Sequence, residues 1–167
     1  KIVDGKVVSD VYRDILKIAV VERHKATGNV GLGLVQGFGL ASGAIATSVA
    51  HDSHNIAVVG ASAEDILAAV LAVKQMGGGL VAVAKGKVLA SLPLPVAGLL
   101  SERNMRDVAE GIAECIAAAA GLGCKLEDPF MTLSFLCLPV IPEMKLTDKG
   151  LVDVREFRLV GMFLGES

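Results

Sequence analysis

The sequence predicts an α+β fold in which a mixed, largely antiparallel sheet packs against two or three helices. Short apolar segments rich in β-branched residues recur between Gly, Asn, Asp and Pro turns. Two longer segments instead repeat their apolar residues at helical spacing. The strands come in runs, with helices inserted among them, so the chain does not alternate strand and helix as a parallel sheet requires. At 167 residues it can bury one core but not two independent ones. Apolar residues make up 53% of it while tryptophan is absent and aromatics are only 4%, so Ala, Val, Leu and Ile must fill that core.

Residues 1–15, with Asp4-Gly5 as a turn signal, read as a linker or edge segment, and the domain proper as 16–167. Residues 16–23 form the first strand, and Thr27-Gly28-Asn29 turns the chain. Residues 30–38 read as an irregular or bulged strand, because glycines at 31, 33 and 37 weaken a helix. Residues 43–49 and 56–59 are two further strands around His51-Asp52-Ser53-His54-Asn55. Asp, Ser and Asn favour turns through side-chain bonds to nearby amides, so the histidines lie at a strand-strand corner.

Ser62 with Asp65 three residues on is a capping-box variant, and Ile66, Val70 and Val73 continue one face, which predicts a helix over 63–76. After Gly77-Gly78-Gly79, residues 80–84 and 88–92 form a hairpin about Lys85-Gly86-Lys87, and Pro93 and Pro95 take the chain out of the sheet. Ser101 or Asn104 caps a second helix carrying Val108, Ile112, Ile116 and Ala119, which Gly121 or Gly123 ends. Asp128-Pro129 has the form of an N-cap followed by proline at the first helical position, yet 131–138 fits a strand as well. Pro139 and Pro142 force an extended passage, and 146–164 reads as loop with one final strand.

Composition narrows the function classes. A membrane span takes about 20 uninterrupted apolar residues; 66–73 is too short and 88–100 is broken by prolines, so no membrane partner is expected. No secretory signal pattern is seen, and a cytoplasmic location is expected. Net charge is −2 with the signs interspersed, which argues against a nucleic-acid partner. Cys115, Cys124 and Cys137 are odd in number and lack Cys-x-x-Cys spacing, so they read as buried free thiols. A mean hydropathy of +0.60 predicts that another domain or subunit covers part of the surface.

The chemistry concentrates at the corner. His51, Asp52 and His54 can serve as metal ligands, or the imidazoles can hydrogen-bond a heterocycle, or Asp52 and Ser53 make the turn while both rings bond backbone carbonyls. His24 is the one other histidine, so a complete metal centre from this chain alone is not expected. Gly31 to Gly39 has neither dinucleotide-loop nor P-loop spacing, so sheet bulging or close packing accounts for its glycines. Glu127 and Asp128 flank a helix start, where Asp128 acts as a cap. Ser48 or Ser53 could complete a Ser-His-Asp set, but no Gly-x-Ser-x-Gly elbow accompanies them.

Several segments read together are similar to the C-terminal domain of microbial adenine deaminase, in the amidohydrolase superfamily. They are Leu16-Lys17-Ile18-Ala19-Val20-Val21-Glu22-Arg23-His24, Gly37-Phe38-Gly39-Leu40, Ser48-Val49-Ala50-His51-Asp52-Ser53-His54-Asn55, Met76-Gly77-Gly78-Gly79, Leu92-Pro93-Leu94-Pro95-Val96-Ala97-Gly98-Leu99 and Glu127-Asp128-Pro129-Phe130-Met131-Thr132-Leu133-Ser134-Phe135. The resemblance implies hydrolysis of adenine to hypoxanthine and ammonia, a purine-salvage reaction, by water activated on divalent metal. It places that metal (manganese, iron or zinc) on a His-x-His pair and further ligands of a TIM-type barrel. This chain has no His-x-His, and such a barrel takes about 250 residues. The resemblance therefore implies a domain that follows the barrel, inactive alone, whose partners are adenine, the barrel of the same protein and further copies in a homo-oligomer. Within it His51, Asp52, Ser53, His54 and Asn55 are expected to face the active site. A non-catalytic assembly, stability or small-ligand-binding domain, or an independent metal-binding domain, is the alternative.

Overall fold

The computed structural model describes residues 1–163. A two-stranded hairpin, β1 (Ile2–Val3) and β2 (Lys6–Val7), leads through a 3-10 turn at Val11–Arg13 into β3 (Leu16–Val21) and β4 (Val30–Val35). Then come β5 (Ala44–Thr47), β6 (Ile56–Gly60), α1 (Ala63–Gln75), β7 (Gly79–Ala84) and β8 (Lys87–Pro93). The chain continues through α2 (Met105–Gly121), α3 (Pro129–Phe135), β9 (Met144–Thr147), β10 (Gly150–Asp153) and β11 (Arg158–Val160).

Six strands form the main sheet in the order β4-β3-β6-β5-β7-β8. Every pairing in it is antiparallel, so the α+β expectation holds in its antiparallel form. All residues of β5 and β6 are buried because both faces of the sheet are covered. On one face Ala69 and Val73 of α1 pack on Ala19, Ala44, Ala46, Val58, Val81 and Val83. The alanines let the helix axis approach the sheet closely. On the other face α2, α3 and the sheet β9-β10-β11 bring Cys115, Ala119, Phe130, Leu133 and Leu146 against Ile18, Val20, Ile45, Val59 and Leu80.

Both long helices begin on side-chain caps. Ser62 Oγ accepts from the Asp65 amide at 3.1 Å, and the buried Asp65 carboxylate reaches across to accept from Gly86 N at 2.8 Å, tying the start of α1 to the β7–β8 turn. Asn104, not Ser101, caps α2, accepting from Asp107 N at 3.0 Å. Residues 1–15 fold back as a hairpin at Asp4-Gly5, and Ser9 Oγ both donates to Gly60 O and accepts from Lys17 N, each at 3.1 Å.

Three expectations are corrected, and the choice left open after Asp128 falls to the helix. The strand β4 is not bulged, for it pairs residue for residue with β3, and its glycines leave room for the small sheet instead. The irregularity lies between Ala82 and Val83. Residues 131–138 are not a strand: Asp128 Oδ1 accepts from Met131 N at 2.9 Å with Pro129 in the first turn, which nucleates α3. The C-terminal stretch is not loop with one strand but the three-stranded β9-β10-β11 sheet, and Leu164 lies outside the described residues. Pro93 stays within the sheet, opposite Gly79, where β8 is an edge strand that needs no further donor.

All three cysteines are free and buried. Burial pushes the Cys115 and Cys137 thiols up to about 12, with Glu114 adding to the effect at Cys115. Since the thiolate is the reactive species, iodoacetamide at pH 8 should leave both unlabelled in the folded protein and label both in urea, as read by mass spectrometry. Rapid labelling of the native state would contradict the packing. No helix among the described residues is long and apolar enough to cross a membrane.

Candidate functional site

The register of the sheet gathers distant segments at one end. Val21 lies opposite Ile56, Thr47 opposite Leu80, and Gly79 opposite Pro93. The segments leaving or entering the strands there are therefore Arg23-His24, 48–55, 76–79 and 94–100. Four of the six stretches singled out by resemblance enter or leave strands at this end and a fifth brings Phe135 of α3 beside His51, while Gly37-Phe38-Gly39-Leu40 follows β4 at the opposite one.

The 51–55 loop is a tight corner closed by the His54 amide, which donates to Ala50 O at 2.7 Å. Asp52 and Ser53 form its exposed tip, and His54 adopts a left-handed backbone with φ 51°. The His51 and His54 rings are half-buried and meet edge to face at 5.3 Å, and His51 lies 6.2 Å from the Phe135 ring at the end of α3. His24 donates from Nε2 to Ser53 O at 2.7 Å. Asn55 is 3% exposed and points inward, its Oδ1 accepting weakly from Arg23 N at 3.4 Å. Of the five expected site residues, the structure thus presents Asp52 and Ser53 to solvent and half-buries both imidazoles, and it gives Asn55 to the scaffold.

His54 Nδ1 is buried with no hydrogen-bond partner among the described residues. Burial lowers the pKa of this ring, and the neighbouring His51 and Arg23 lower it further. The shift favours the neutral ring, in which one nitrogen can accept and the other donate.

The corner is held by Arg23 and Ser48, of which the sequence singled out only Ser48, and that as a possible nucleophile. Arg23 donates from Nε to His54 O and from NH2 to Ala97 O, both at 2.6 Å. Ser48, fully buried, donates to Gly98 O at 2.6 Å and accepts from Gly79 N at 2.8 Å. That bond pattern removes Ser48 from consideration as a nucleophile. Arg23 lies two residues past β3, between Glu22 and His24, inside the first of the resembling stretches.

Beside the corner, between the sheet and helices α2 and α3, lies an apolar slot of about 220 Å³ lined by Val49, Leu80, Leu94, Ile112, Phe130 and Met131 among others. Leu100, next to the lining residue Leu99, and Met105, at the start of α2, are 64% and 88% exposed, and Phe135 at the end of α3 is also exposed. An apolar rim of this kind is what a covering domain would bury.

Among the described residues no three His, Cys, Asp or Glu side chains converge as a metal ligand set. Glu127 and Asp128 are exposed at the start of α3, where Asp128 acts as the cap.

Residues 1–158 match the family described as the adenine deaminase C-terminal domain. The chain is 63% identical over 161 residues to an adenine deaminase of Methanothrix thermoacetophila, covering 96% of the chain and 28% of that protein. It is 61% identical over 160 residues to one of Desulfatibacillum aliphaticivorans, again covering 96% and 28%. It is 54% identical over 157 residues to one of Dehalococcoides mccartyi, covering 94% and 28%. The chain thus spans just over a quarter of the length of these relatives, and the match extends beyond the stretch from 16 to 135 that carried the resemblance.

Proposed function

The chain belongs to the adenine deaminase C-terminal domain family, and from that premise we propose that it is part of a hydrolase converting adenine to hypoxanthine and ammonia. In this reading the rest of the protein forms a metal-binding barrel, and this domain closes or supports its active site through the 51–55 loop. A divalent metal held there, manganese, iron or zinc, would activate the hydrolytic water. A C–O bond forms at the purine carbon bearing the amino group, the C–N bond breaks, and ammonia leaves carrying the transferred proton.

What this chain contributes is His54. The observation that carries the reading is a half-buried imidazole whose buried Nδ1 has no partner among the described residues and whose pKa burial lowers, set where family-like segments meet. Leaving such a nitrogen unpaired costs about 1–3 kcal/mol, and a group supplied from outside the chain would remove that cost. The apolar rim beside it suits burial against the barrel, and further copies in a homo-oligomer would cover other apolar surface.

His54→Ala in the full-length enzyme should lower kcat by roughly 10²-fold, the low end of what a positioned proton-handling group supplies. The melting temperature should change little, since the ring makes no side-chain hydrogen bond that folding would lose. Activity that needs neutral His54 falls as pH drops through its lowered pKa, so the acid limb should lie below the ordinary imidazole range and vanish in the variant. Unchanged kcat together with altered melting or oligomeric state would favour the alternative, an assembly and stability module, which the exposed apolar rim also fits.

A further inference from the structure

We propose that Arg23 is the positioning residue of this corner, fixing His54 in register with the Ala97-Gly98 turn. The inference rests on the reading that the 51–55 loop reaches the reacting site. A single planar cation spans two segments that the chain connects only through β6, α1, β7 and β8. Its Nε–H bonds the carbonyl of His54 itself, and its NH2 bonds Ala97 O, both at 2.6 Å. Hydrogen bonds of that length from a charged donor are about twice as strong as neutral ones.

Three further observations make the contact a clamp. The ion pairs among the described residues join Arg13 to Asp10, Arg155 to Glu143 and Arg158 to Glu156, so Arg23 has no carboxylate partner and directs its charge at backbone carbonyls. Gly98 lies against the guanidinium so closely that a Cβ there would come within 2.7 Å of Cζ, and the residue has φ +75°. The guanidinium occupies the space a side chain would need. Gly98 O is in turn fixed by Ser48, which also holds Gly79, so the turn on which Arg23 leans is itself anchored to the sheet.

Lysine cannot substitute, because a single ammonium lacks the fork that reaches both carbonyls with fixed geometry. Nor does Arg23 need to touch substrate. A displacement of about 1 Å at a reacting group costs roughly 10²-fold in rate, and the carbonyl held by Nε belongs to the residue whose ring is the functional group.

The test is a double-mutant cycle on the full-length enzyme with adenine as substrate. Arg23→Ala should lower kcat roughly tenfold or more with KM nearly unchanged, and Arg23→Lys should do the same while keeping the charge, which covers the case in which the alanine variant does not fold. Arg23→Ala combined with His54→Ala should be no slower than His54→Ala alone. Added guanidinium ion should restore part of the rate to Arg23→Ala and none to the double variant. Losses that multiply in the double variant, or a wild-type kcat in Arg23→Lys with His54→Ala slow, would overturn the role of Arg23 while leaving the loop reading standing. A wild-type rate in His54→Ala would instead remove the loop reading, and this inference with it.

Discussion

Replacing Ser48 with alanine should destabilise the protein by about 2–6 kcal/mol, since it strips partners from two buried backbone groups at once, each costing about 1–3 kcal/mol when left unsatisfied. The hydroxyl accepts from Gly79 N at 2.8 Å and donates to Gly98 O at 2.6 Å, at a position with no solvent exposure. The hydroxyl also joins the first residue of β7 to the turn that packs on Arg23, so the loss should spread to the corner. Urea unfolding reports the free energy, and amide exchange at Gly79 reports the location. A loss no larger than about 0.5 kcal/mol, typical of a surface change, would mean that water fills the vacancy and that the three loops are not rigidly joined. Catalytic rate should fall as well, but less than in His54→Ala, because the Arg23–His54 contact itself remains.

What could be read in advance follows from how each element buries its side chains. The strands β5 and β6 are covered on both faces, so they appear in the sequence as unbroken apolar runs bounded by turn residues. The helix α1 was legible from its cap and its face together, and Ser62 and Asp65 do form that cap. The strands β9, β10 and β11 are short and mostly half-exposed, so neither alternation nor a continuous apolar run marks them. The helix α3 has seven residues, too few for a periodicity to outweigh the strand-like Met131 to Leu138 composition. Strand order lay beyond the local pattern altogether, because nothing in β5 announces that it inserts between β6 and β7.

The site divides the same way. His51 and His54 were visible because imidazole is rare in this chain and chemically versatile. The holding roles of Arg23, Ser48 and Gly98 were not, because they run through backbone carbonyls and amides, which carry no residue signature. Their partners are set by register, so the clamp becomes visible only when Val21 is seen opposite Ile56 and Gly79 opposite Pro93. The glycines in β4 belong to this second group. Their sequence pattern suggested irregularity within the strand, whereas their cause lies in a separate sheet.

Gly31→Val should therefore cost about 3 kcal/mol or more, at or above the upper end of ordinary overpacking, because the obstacle is backbone rather than a movable side chain. A Cβ at Gly31 falls on the Thr147 carbonyl, 2.9 Å from its carbon and 3.3 Å from Gly150 N. The β9–β10 turn rests directly on β4 and cannot retreat without carrying its sheet with it. Leu146, adjacent to that turn and 3% exposed, would be drawn from the core beside Ile18 and Gly33, adding lost apolar burial to the steric cost. Gly121→Ala is the matched control. Nothing lies within 4 Å of a Cβ there, at the last residue of α2, and the change should be neutral or stabilising by up to about 1 kcal/mol. Thermal melting should separate the two variants, and limited proteolysis should find Gly31→Val newly cleaved between residues 138 and 160. Equal melting temperatures would mean that the small sheet is not docked on β4, and the α2–α3 face would then lose the Leu146 contact that helps close its core.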